Sequence, residues 1–252
     1  MRFAYIGSGS RGNGCVIEEA DTCLLVDCGF SAREAEQRLA RLGKTPEQLT
    51  AILVTHEHSD HISGVGVLAR KHRIPVWATR GTLTADRLGE TVETRSFCTH
   101  SGFAIGDVMV QPFPVPHDAR EPSQFVFSNG AVRLGLMTDT GSITAHIETQ
   151  LSGCDALILE CNHDRDMLVR GEYPPALKQR VGGDLGHLSN EQAATLLSRI
   201  DTRGLKQIVA AHLSEKHNTP ALAREVLSQA LGCTPDWIGV ADQDTGLDWR
   251  DV

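Results

Sequence analysis

Three histidines and an aspartate lie within six residues, in the segment HEHSDH at residues 56–61. The segment follows Ala51–Thr55, an apolar run typical of a buried strand, and overlaps Ser59–His72, whose apolar residues recur at helical spacing. Imidazole nitrogens and carboxylate oxygens are ligands that Zn²⁺ and Mn²⁺ accept. Histidines rarely cluster in this way on a merely solvated turn. The segment therefore predicts a metal site where a strand passes into a helix, a usual place for a site on an α/β scaffold.

The composition is that of a folded, water-soluble chain. Of its 252 residues, 40% are hydrophobic and 22% are charged, which excludes disorder, collagen and coiled coil as the main state. No run of about 18 apolar residues is present, so the sequence predicts no membrane span. No repeat or charged linker divides the chain, and we expect one domain over residues 1–252.

Cysteine usage and the N-terminal residues indicate a cytoplasmic protein. The seven cysteines form an odd set without a C-x-x-C pair, and glycines stand where a secretory signal needs an apolar stretch. We expect buried thiols in a reducing compartment. The net charge of −8 excludes broad attraction to nucleic acid but allows a basic strip beside the site.

The segment GSGSRG at residues 7–12 matches the G-x-G-x-x-G pattern of dinucleotide-binding folds. That pattern requires a helix to begin at the third glycine, so that the helix N-terminus meets the pyrophosphate. Here the strand-like runs Cys15–Glu19 and Cys23–Asp27 follow instead. We interpret the segment as a glycine-rich loop between two strands.

The rest of the chain mixes strand runs with a later alternation of strands and helices. Asn129-Gly130 predicts a hairpin between Phe125–Phe127 and Val132–Met137. Further strands are predicted over Arg2–Ile6, Val108–Val115, Ala156–Glu160 and Gln207–Ala211, and helices over Ser31–Arg41, Ser189–Ile200 and Thr219–Leu231. This order predicts an α/β fold of two mixed sheets covered by helices.

The H-x-H-x-D-H pattern resembles that of the metallo-β-lactamase superfamily, whose fold is an αββα sandwich. Later apolar strand patterns end in the histidines and the aspartate that this resemblance requires, His117, Asp139 and His212. The resemblance implies two divalent ions, Zn²⁺ or Mn²⁺, with the first held by His56, His58 and His117 and the second by Asp60, His61 and His212. It also implies that Asp139 bridges the ions and that Asp27 orients the metal-binding loop. The flavodiiron branch is disfavoured because it places Glu where His58 stands.

Two later segments narrow the resemblance. Residues 186–194 (GHLSNEQAA) and 208–214 (IVAAHLS) are similar to paired motifs of ribonuclease Z and its phosphodiesterase relatives. In those enzymes the first histidine contacts the scissile phosphate and can protonate the leaving oxygen, and His187 is the matching position. Histidine suits this task because it ordinarily titrates near neutral pH. The alternative is that His187 only precedes the N-cap of a helix.

The opening SGSRGNG, the segment ECNHD at residues 160–164 and the segment HLSEKHN at residues 212–218 resemble the YycJ/WalJ family most closely. This resemblance runs from about residue 3 to residue 230 and implies a metallo-β-lactamase-fold phosphodiesterase, with DNA exonuclease activity expected. The chain is too short for a β-CASP insert. The interval between Asp139 and His187 is not the glycine-rich basic arm with which ribonuclease Z grips tRNA. Its cations either line a phosphate track or belong to solvated helix faces; they are Arg165, Arg170, Lys178 and Arg180.

We therefore expect phosphodiester hydrolysis, with DNA a better candidate substrate than RNA, Asp60 orienting the attacking water and His187 acting as general acid. His163 and His217 are candidate phosphate contacts because they lie near the site strands in sequence. Hydrolysis of a small cyclic phosphodiester, or of an ester, thioester or β-lactam at the same metals, stays open as an alternative. A catalytically idle metal-binding module would require a missing ligand, and the sequence lacks none.

Overall fold

The computed structural model describes residues 1–89 and 93–252. These residues form fourteen strands, in chain order β1 Arg2–Gly7, β2 Gly14–Glu19, β3 Thr22–Val26, β4 Ala51–Leu53, β5 Val76–Thr79, β6 Thr94–Phe97, β7 Phe103–Ile105, β8 Val108–Pro114, β9 Ser123–Ser128, β10 Arg133–Met137, β11 Ala156–Glu160, β12 Gln207–Ala211, β13 Gly239–Val240 and β14 Leu247–Asp251. The α-helices of the same residues are α1 Ala32–Arg41, α2 Ser59–Ile62, α3 Val65–His72, α4 Arg80–Leu83, α5 Ala145–Leu151, α6 Arg165–Arg170, α7 Pro175–Val181, α8 Asn190–Arg199 and α9 Pro220–Leu231. None of these helices is long and apolar enough to cross a membrane.

The strands form two sheets of seven, in the orders β14-β1-β2-β3-β4-β5-β6 and β13-β12-β11-β10-β9-β8-β7. In the first sheet β1 to β3 pair antiparallel, whereas β3 to β6 pair parallel. In the second sheet β7 to β10 pair antiparallel and β10 to β13 pair parallel. The prediction of two mixed sheets is confirmed.

The two sheets pack face to face, and helices cover both outer faces. The central layer contains Phe3, Phe125 and Phe127 from the facing strands. Strand β3 shows how the layers arise: Leu24 and Val26 enter the central layer, while Leu25 packs on the other face with side chains of α1 and α3. Helices α5, α8 and α9 cover the second sheet. Strands buried on both faces read as continuous apolar runs, which is why the sequence identified them.

Several predicted boundaries agree with the structure. The strands Ala156–Glu160 and Gln207–Ala211 have the predicted limits, and β9 and β10 form the hairpin predicted at Asn129-Gly130. Helices α1, α8 and α9 begin as predicted, because Ser31, Ser189 and Thr219 each accept a hydrogen bond from a backbone N–H of the first turn. The glycine-rich segment at residues 7–12 lies in the connection between the antiparallel strands β1 and β2, and no helix begins there.

Two predictions are wrong. The single helix expected over Ser59–His72 is divided into α2 and α3, because the Gly64 N–H donates to Cys28 O, 2.8 Å away, and leaves the helical ladder. The expectation of buried thiols fails at Cys98, which is exposed, and Cys233 is only half-buried; the other five cysteines are buried, and all seven are free. Strands β5, β6, β7, β13 and β14 had no clear periodic signal in the sequence.

Gly29 lies where the loop after β3 meets the metal-binding segment. Its N–H donates to Asn13 O, and the Asn13 N–H donates to Asp60 O. A Cβ atom at Gly29 would lie 1.8 Å from Asp60 O. Glycine is therefore required for this close approach of three backbone segments.

We expect Gly29→Ala to destabilise the protein by about 1–3 kcal/mol, because the backbone at Asp60 must move to admit a methyl group. For a chain of this size, each kcal/mol lowers Tm by about 2–4 °C. Gly204→Ala is the matched control, since a Cβ there would meet nothing within 4 Å. Equal Tm values for the two variants would contradict the steric argument.

Candidate metal centre and active site

The candidate metal ligands converge because the strands that precede them end at one edge of the sandwich. His56 follows β4, His117 follows β8, Asp139 follows β10 and His212 follows β12. Strands β10 and β12 both pair parallel with β11, and β8 runs in the same direction because β9 is antiparallel to both β8 and β10. The structure thus brings residues separated by up to 156 positions to one place.

Three of the residues at this edge have left-handed backbone conformations. The φ angles are +63° at Asp27, +52° at Asp139 and +55° at His212, a region that is costly for a residue with a side chain. At His212 both peptide groups are held: its N–H donates to Ser8 Oγ at 2.8 Å, and Asn162 Nδ2 donates to its carbonyl at 3.1 Å. These bonds hold the turn that directs the imidazole into the centre.

His56, His58 and His117 form the first group of converging ligand atoms. His117 Nδ1 lies 3.0 Å from Gly186 O, and His58 Nε2 lies 3.2 Å from Asp118 O. Because a carbonyl oxygen only accepts, both of these nitrogens carry the proton. The other two nitrogens, His117 Nε2 and His58 Nδ1, then face each other as lone pairs 3.2 Å apart.

The third imidazole of this group, that of His56, also has a ring nitrogen without a hydrogen-bond donor. His56 Nε2 is buried and has no hydrogen-bond partner among the described residues, while its Nδ1 lies 3.0 Å from Thr55 Oγ1. Three imidazole lone pairs that meet in a buried site repel one another unless a cation lies between them. This donor set fits a divalent ion such as Zn²⁺ or Mn²⁺.

The second group contains Asp60, His61 and His212. Asp60 Oδ2 lies 3.4 Å from the Nε2 atoms of both His61 and His212. Asp139 lies between the two groups, with Oδ2 3.3 Å from His61 Nε2 and Oδ1 3.4 Å from His212 Nδ1. His56, His61 and Asp139 are also close enough to share an ion. The residues present therefore fit two neighbouring cations with Asp139 between them.

Burial and charge shift the pKa values of these groups in opposite directions. Burial disfavours a charged His212, but Asp139 and hydrogen bonds with Asp60 and Glu160 outweigh it and raise the pKa of His212 to about 10. Burial, together with the charge of His61, holds the pKa of His56 well below its usual range. The pKa of Asp139 is well below its usual range despite burial, because His212 and His61 attract its charged form. The carboxylates and imidazoles of the second group thus stabilise each other's charged forms.

Asp27 lies behind the centre and orients its ligands. Its Oδ2 accepts from Thr55 Oγ1 and lies 2.8 Å from His61 Nδ1, and its Oδ1 accepts from the Thr55 N–H. The bond at Nδ1 turns His61 Nε2 towards Asp60 and Asp139. This is the geometry by which an outer carboxylate fixes the orientation of a metal-binding imidazole.

Glu160 is a site residue that the sequence analysis did not select. It is fully buried; its Oε1 lies 2.8 Å from His187 Nδ1 and 3.0 Å from His212 Nδ1, and its Oε2 accepts from the Thr140 and Leu188 N–H groups. Burial raises the pKa of a carboxyl, but the charge of His187 and the bonds from both histidines bring that of Glu160 to about 2. An acidic residue at the end of the apolar strand ALILE was the available signal, since Asp27 and Asp139 follow strands in the same way.

Asn13 is a second residue that was missed. Its Nδ2 lies 3.3 Å from Asp60 Oδ2 and 3.2 Å from His61 Nε2, and its Oδ1 accepts from the Gly9 N–H. The glycine-rich loop at residues 7–12 is thus tied to the metal-binding segment. Its sequence matches a dinucleotide-binding pattern, but it is the loop between two strands that we predicted, and its contacts support the metal centre.

His187 lies beside the centre at the surface of a cleft. Its ring centroid is 5.3 Å from that of His117 and 5.2 Å from that of His212. Its Nδ1 is bonded to Glu160, which leaves Nε2 for the cleft. The cleft has a volume of about 580 Å³, and the residues around the centre that line it include His58, Asp60, Asp139, His187 and His212.

The structure places the other candidate substrate contacts away from the cleft surface. His163 and His217 are each only 2% exposed, and neither lines the cleft. Burial is the main cause that lowers the pKa of His163 to about 4, and the His217 ring packs at 4.2 Å against Tyr173. Of the four cations between Asp139 and His187, Arg180 is the one that lines the cleft.

Comparison with known proteins agrees with this geometry. The family model described as a beta-lactamase superfamily domain matches residues 22–212. The exodeoxyribonuclease YycJ of Bacillus anthracis is 39% identical over 235 residues, which cover 92% of this chain and 89% of the relative. The exodeoxyribonuclease WalJ of Streptococcus pneumoniae serotype 2 is 36% identical over an aligned length of 256 residues, which covers 99% of this chain and 93% of the relative.

Among solved structures, the metallo-β-lactamase fold protein YhfI from Bacillus subtilis superposes with a TM-score of 0.77 over 99% of both chains. At 17% identity, this likeness shows the fold alone. The αββα sandwich expected from the sequence is confirmed. The family match and the two relatives show that this chain belongs to the metallo-β-lactamase-fold hydrolases of the beta-lactamase superfamily, with YycJ and WalJ among its relatives, and that it is a metal-dependent hydrolase.

Proposed function

We propose that this protein is a phosphodiester hydrolase with two divalent ions, Zn²⁺ or Mn²⁺, and that it acts on DNA as an exonuclease. The observation that carries the proposal is the bonded pair of Glu160 and His187 at the cleft. Although Asp139, Glu160, His187 and His212 lie close enough to hold an ion, Glu160 and His187 already satisfy each other at 2.8 Å. His187 is thus available for substrate rather than for metal.

His56, His58 and His117 would hold one ion and Asp60, His61 and His212 the other, with Asp139 between them. When bound, such ions supply a nucleophile at neutral pH and neutralise charge on a phosphate oxygen. Asp60 lies at the cleft surface, where its carboxylate can accept a hydrogen bond from the attacking water and orient it. His187 Nε2 faces the same cleft and can pass a proton to the departing oxygen.

The pair with Glu160 explains why His187 suits this role. A bond from Nδ1 to a buried carboxylate fixes the ring plane and leaves Nε2 as the nitrogen that exchanges protons with substrate. The same carboxylate contacts His212 Nδ1 at 3.0 Å, so one residue sets the orientation of a metal ligand and of the general acid. Both relatives carry the name exodeoxyribonuclease, which supports DNA as the substrate.

The direct test is a substrate panel run with Zn²⁺ or Mn²⁺: end-labelled duplex and single-stranded DNA, RNA, a cyclic nucleotide, a lactone and a thioester. We expect progressive shortening of DNA. Because phosphate contacts release counterions, activity on DNA below saturation should fall steeply with salt, whereas turnover of a neutral ester should barely respond. Rapid turnover of the lactone or thioester with no cleavage of DNA would refute the proposal.

Asp139→Ala should reduce the metal content below two ions per chain, because it removes the carboxylate between the two ligand groups. Elemental analysis of the purified protein measures this. Asp166→Ala is the control, since Asp166 is exposed and pairs only with Arg170 among the described residues. Two ions retained in Asp139→Ala would refute the bridging assignment.

His187→Ala should keep the metal content of the wild type and lower kcat on DNA by about 10²–10⁴-fold, the usual contribution of a positioned general acid. The loss should be much smaller for bis-p-nitrophenyl phosphate, because p-nitrophenolate departs without a proton. Glu160→Gln should show the same dependence on the leaving group, with a smaller loss. An equal loss on both substrates would instead indicate phosphate binding or a structural role.

A further inference from the structure

The cleft is lined beside the first ligand group by three arginines and the two carboxylates of Glu57 and Asp118, and beside the second by uncharged polar side chains and Asp60. Arg87, Arg120 and Arg180 line the first part, and we call them the arginine wall. The other part is lined by Ser10, Asn162 and Ser214, which we call the neutral rim.

Contacts fix the arginine wall next to His58 and His117. The Arg120 N–H donates to Glu57 Oε1, and Glu57 stands between two ligands of the first group. Arg180 Nε lies 2.6 Å from Asp118 Oδ2, and Asp118 O accepts from His58. Arg120 Nη1 also donates to Thr84 O at 3.3 Å, which lies in the segment that leads to Arg87.

The arginines of the wall keep donors free for a ligand. Arg180 uses Nε in its pair with Asp118, its side chain is 62% exposed, and its Nη atoms make no hydrogen bond with the described residues. Arg120 is held through Nη1 and its backbone, so its side chain is placed before substrate arrives. A guanidinium held in this way can bind phosphate oxygens with two N–H groups.

Among the described residues that line the cleft, no cation accompanies the neutral rim. Asn162 and Ser214 are bonded to each other through the Ser214 N–H and the Asn162 carbonyl. The nearby Arg11 guanidinium lies 2.7 Å from Glu215 and 2.9 Å from Asp244, so two carboxylates neutralise it. Arg11 with these two carboxylates carries a formal charge of −1, whereas the three arginines of the wall with Glu57 and Asp118 carry +1.

We infer that the arginine wall binds the phosphates of the remaining polymer while the neutral rim receives the nucleotide that is released. The inference rests on the proposed function and adds a direction to it: the bound polymer extends away from the metal centre on the side of His58 and His117. The net charge of −8 makes such a local strip necessary, because the rest of the surface repels a polyanion. One-sided phosphate binding is also what an enzyme that trims from an end requires.

The test compares the wild type with Arg120→Gln, Arg180→Gln and the double variant on an end-labelled 30-mer duplex, from 50 to 300 mM KCl. Each substitution should lower the slope of log kcat/KM against log salt by about one, the loss of one phosphate contact. The Arg120→Lys/Arg180→Lys variant should keep most of the slope. The loss of kcat/KM on bis-p-nitrophenyl phosphate should be smaller than the loss on the 30-mer and should not steepen with salt, because this substrate has no further phosphates to bind.

Arg170→Gln is the matched control, because Arg170 is 80% exposed and does not line the cleft. Arg87→Gln keeps the test valid if the Arg120 or Arg180 variants fail to fold. Arg87 makes no hydrogen bond or ion pair with another described residue, so we expect its variant to fold like the wild type. Wild-type slopes in the Arg120, Arg180 and Arg87 variants, with DNA still cleaved, would overturn the inference and leave the proposed function standing. Failure of the wild type to cleave any nucleic acid would overturn both.

A second measurement locates the contacts on the substrate. Neutral methylphosphonate linkages are placed singly on the polymer side or on the released side of the scissile linkage. We expect a loss of kcat/KM for the polymer side alone, and this loss should vanish in the Arg120→Gln/Arg180→Gln variant. Equal losses on both sides, or a loss that persists in the double variant, would show that the arginine wall does not bind the polymer.

Discussion

The arrangement of the site depends on imidazole nitrogens and carboxylate oxygens that converge in a largely buried centre. His58 and His117 each donate one ring proton to a backbone carbonyl, so in the neutral rings the remaining nitrogens face each other as lone pairs at 3.2 Å. Such an arrangement is unfavourable without a cation. Metal binding is therefore linked to the conformation of every loop that ends at this edge of the sandwich.

Glu160 connects this centre to catalysis. Its two oxygens bind two histidines and two backbone N–H groups, so the carboxylate is satisfied without solvent. His212 and His187 come from distant parts of the chain, yet one buried residue sets both rings. The positions of the candidate metal ligand and of the proposed general acid thus depend on one residue.

Electrostatics would explain how this acidic protein could act on DNA, the polyanion that we propose as its substrate. The cations that matter are few and local: Arg120 and Arg180 are held by Thr84, Glu57 and Asp118 at the side of the first ligand group. At the other side Arg11 is neutralised by its carboxylate neighbours. The charged side chains of the cleft are therefore distributed unevenly, and we infer that phosphates are favoured beside the first ligand group.

The sequence by itself determined the elements with strong periodicity and the candidate residues of the metal centre, because the H-x-H-x-D-H segment is local and the later candidates each follow an apolar strand. It could not reveal Glu160, Asn13 or the arginine wall, since their roles come from contacts between segments far apart in the chain. It also made His163 and His217 candidates through nearness in sequence, whereas packing buries both. The division of α2 from α3 depends on a hydrogen bond from Gly64 to Cys28. Such contacts join segments that are distant in the sequence, so they exist only in the folded chain.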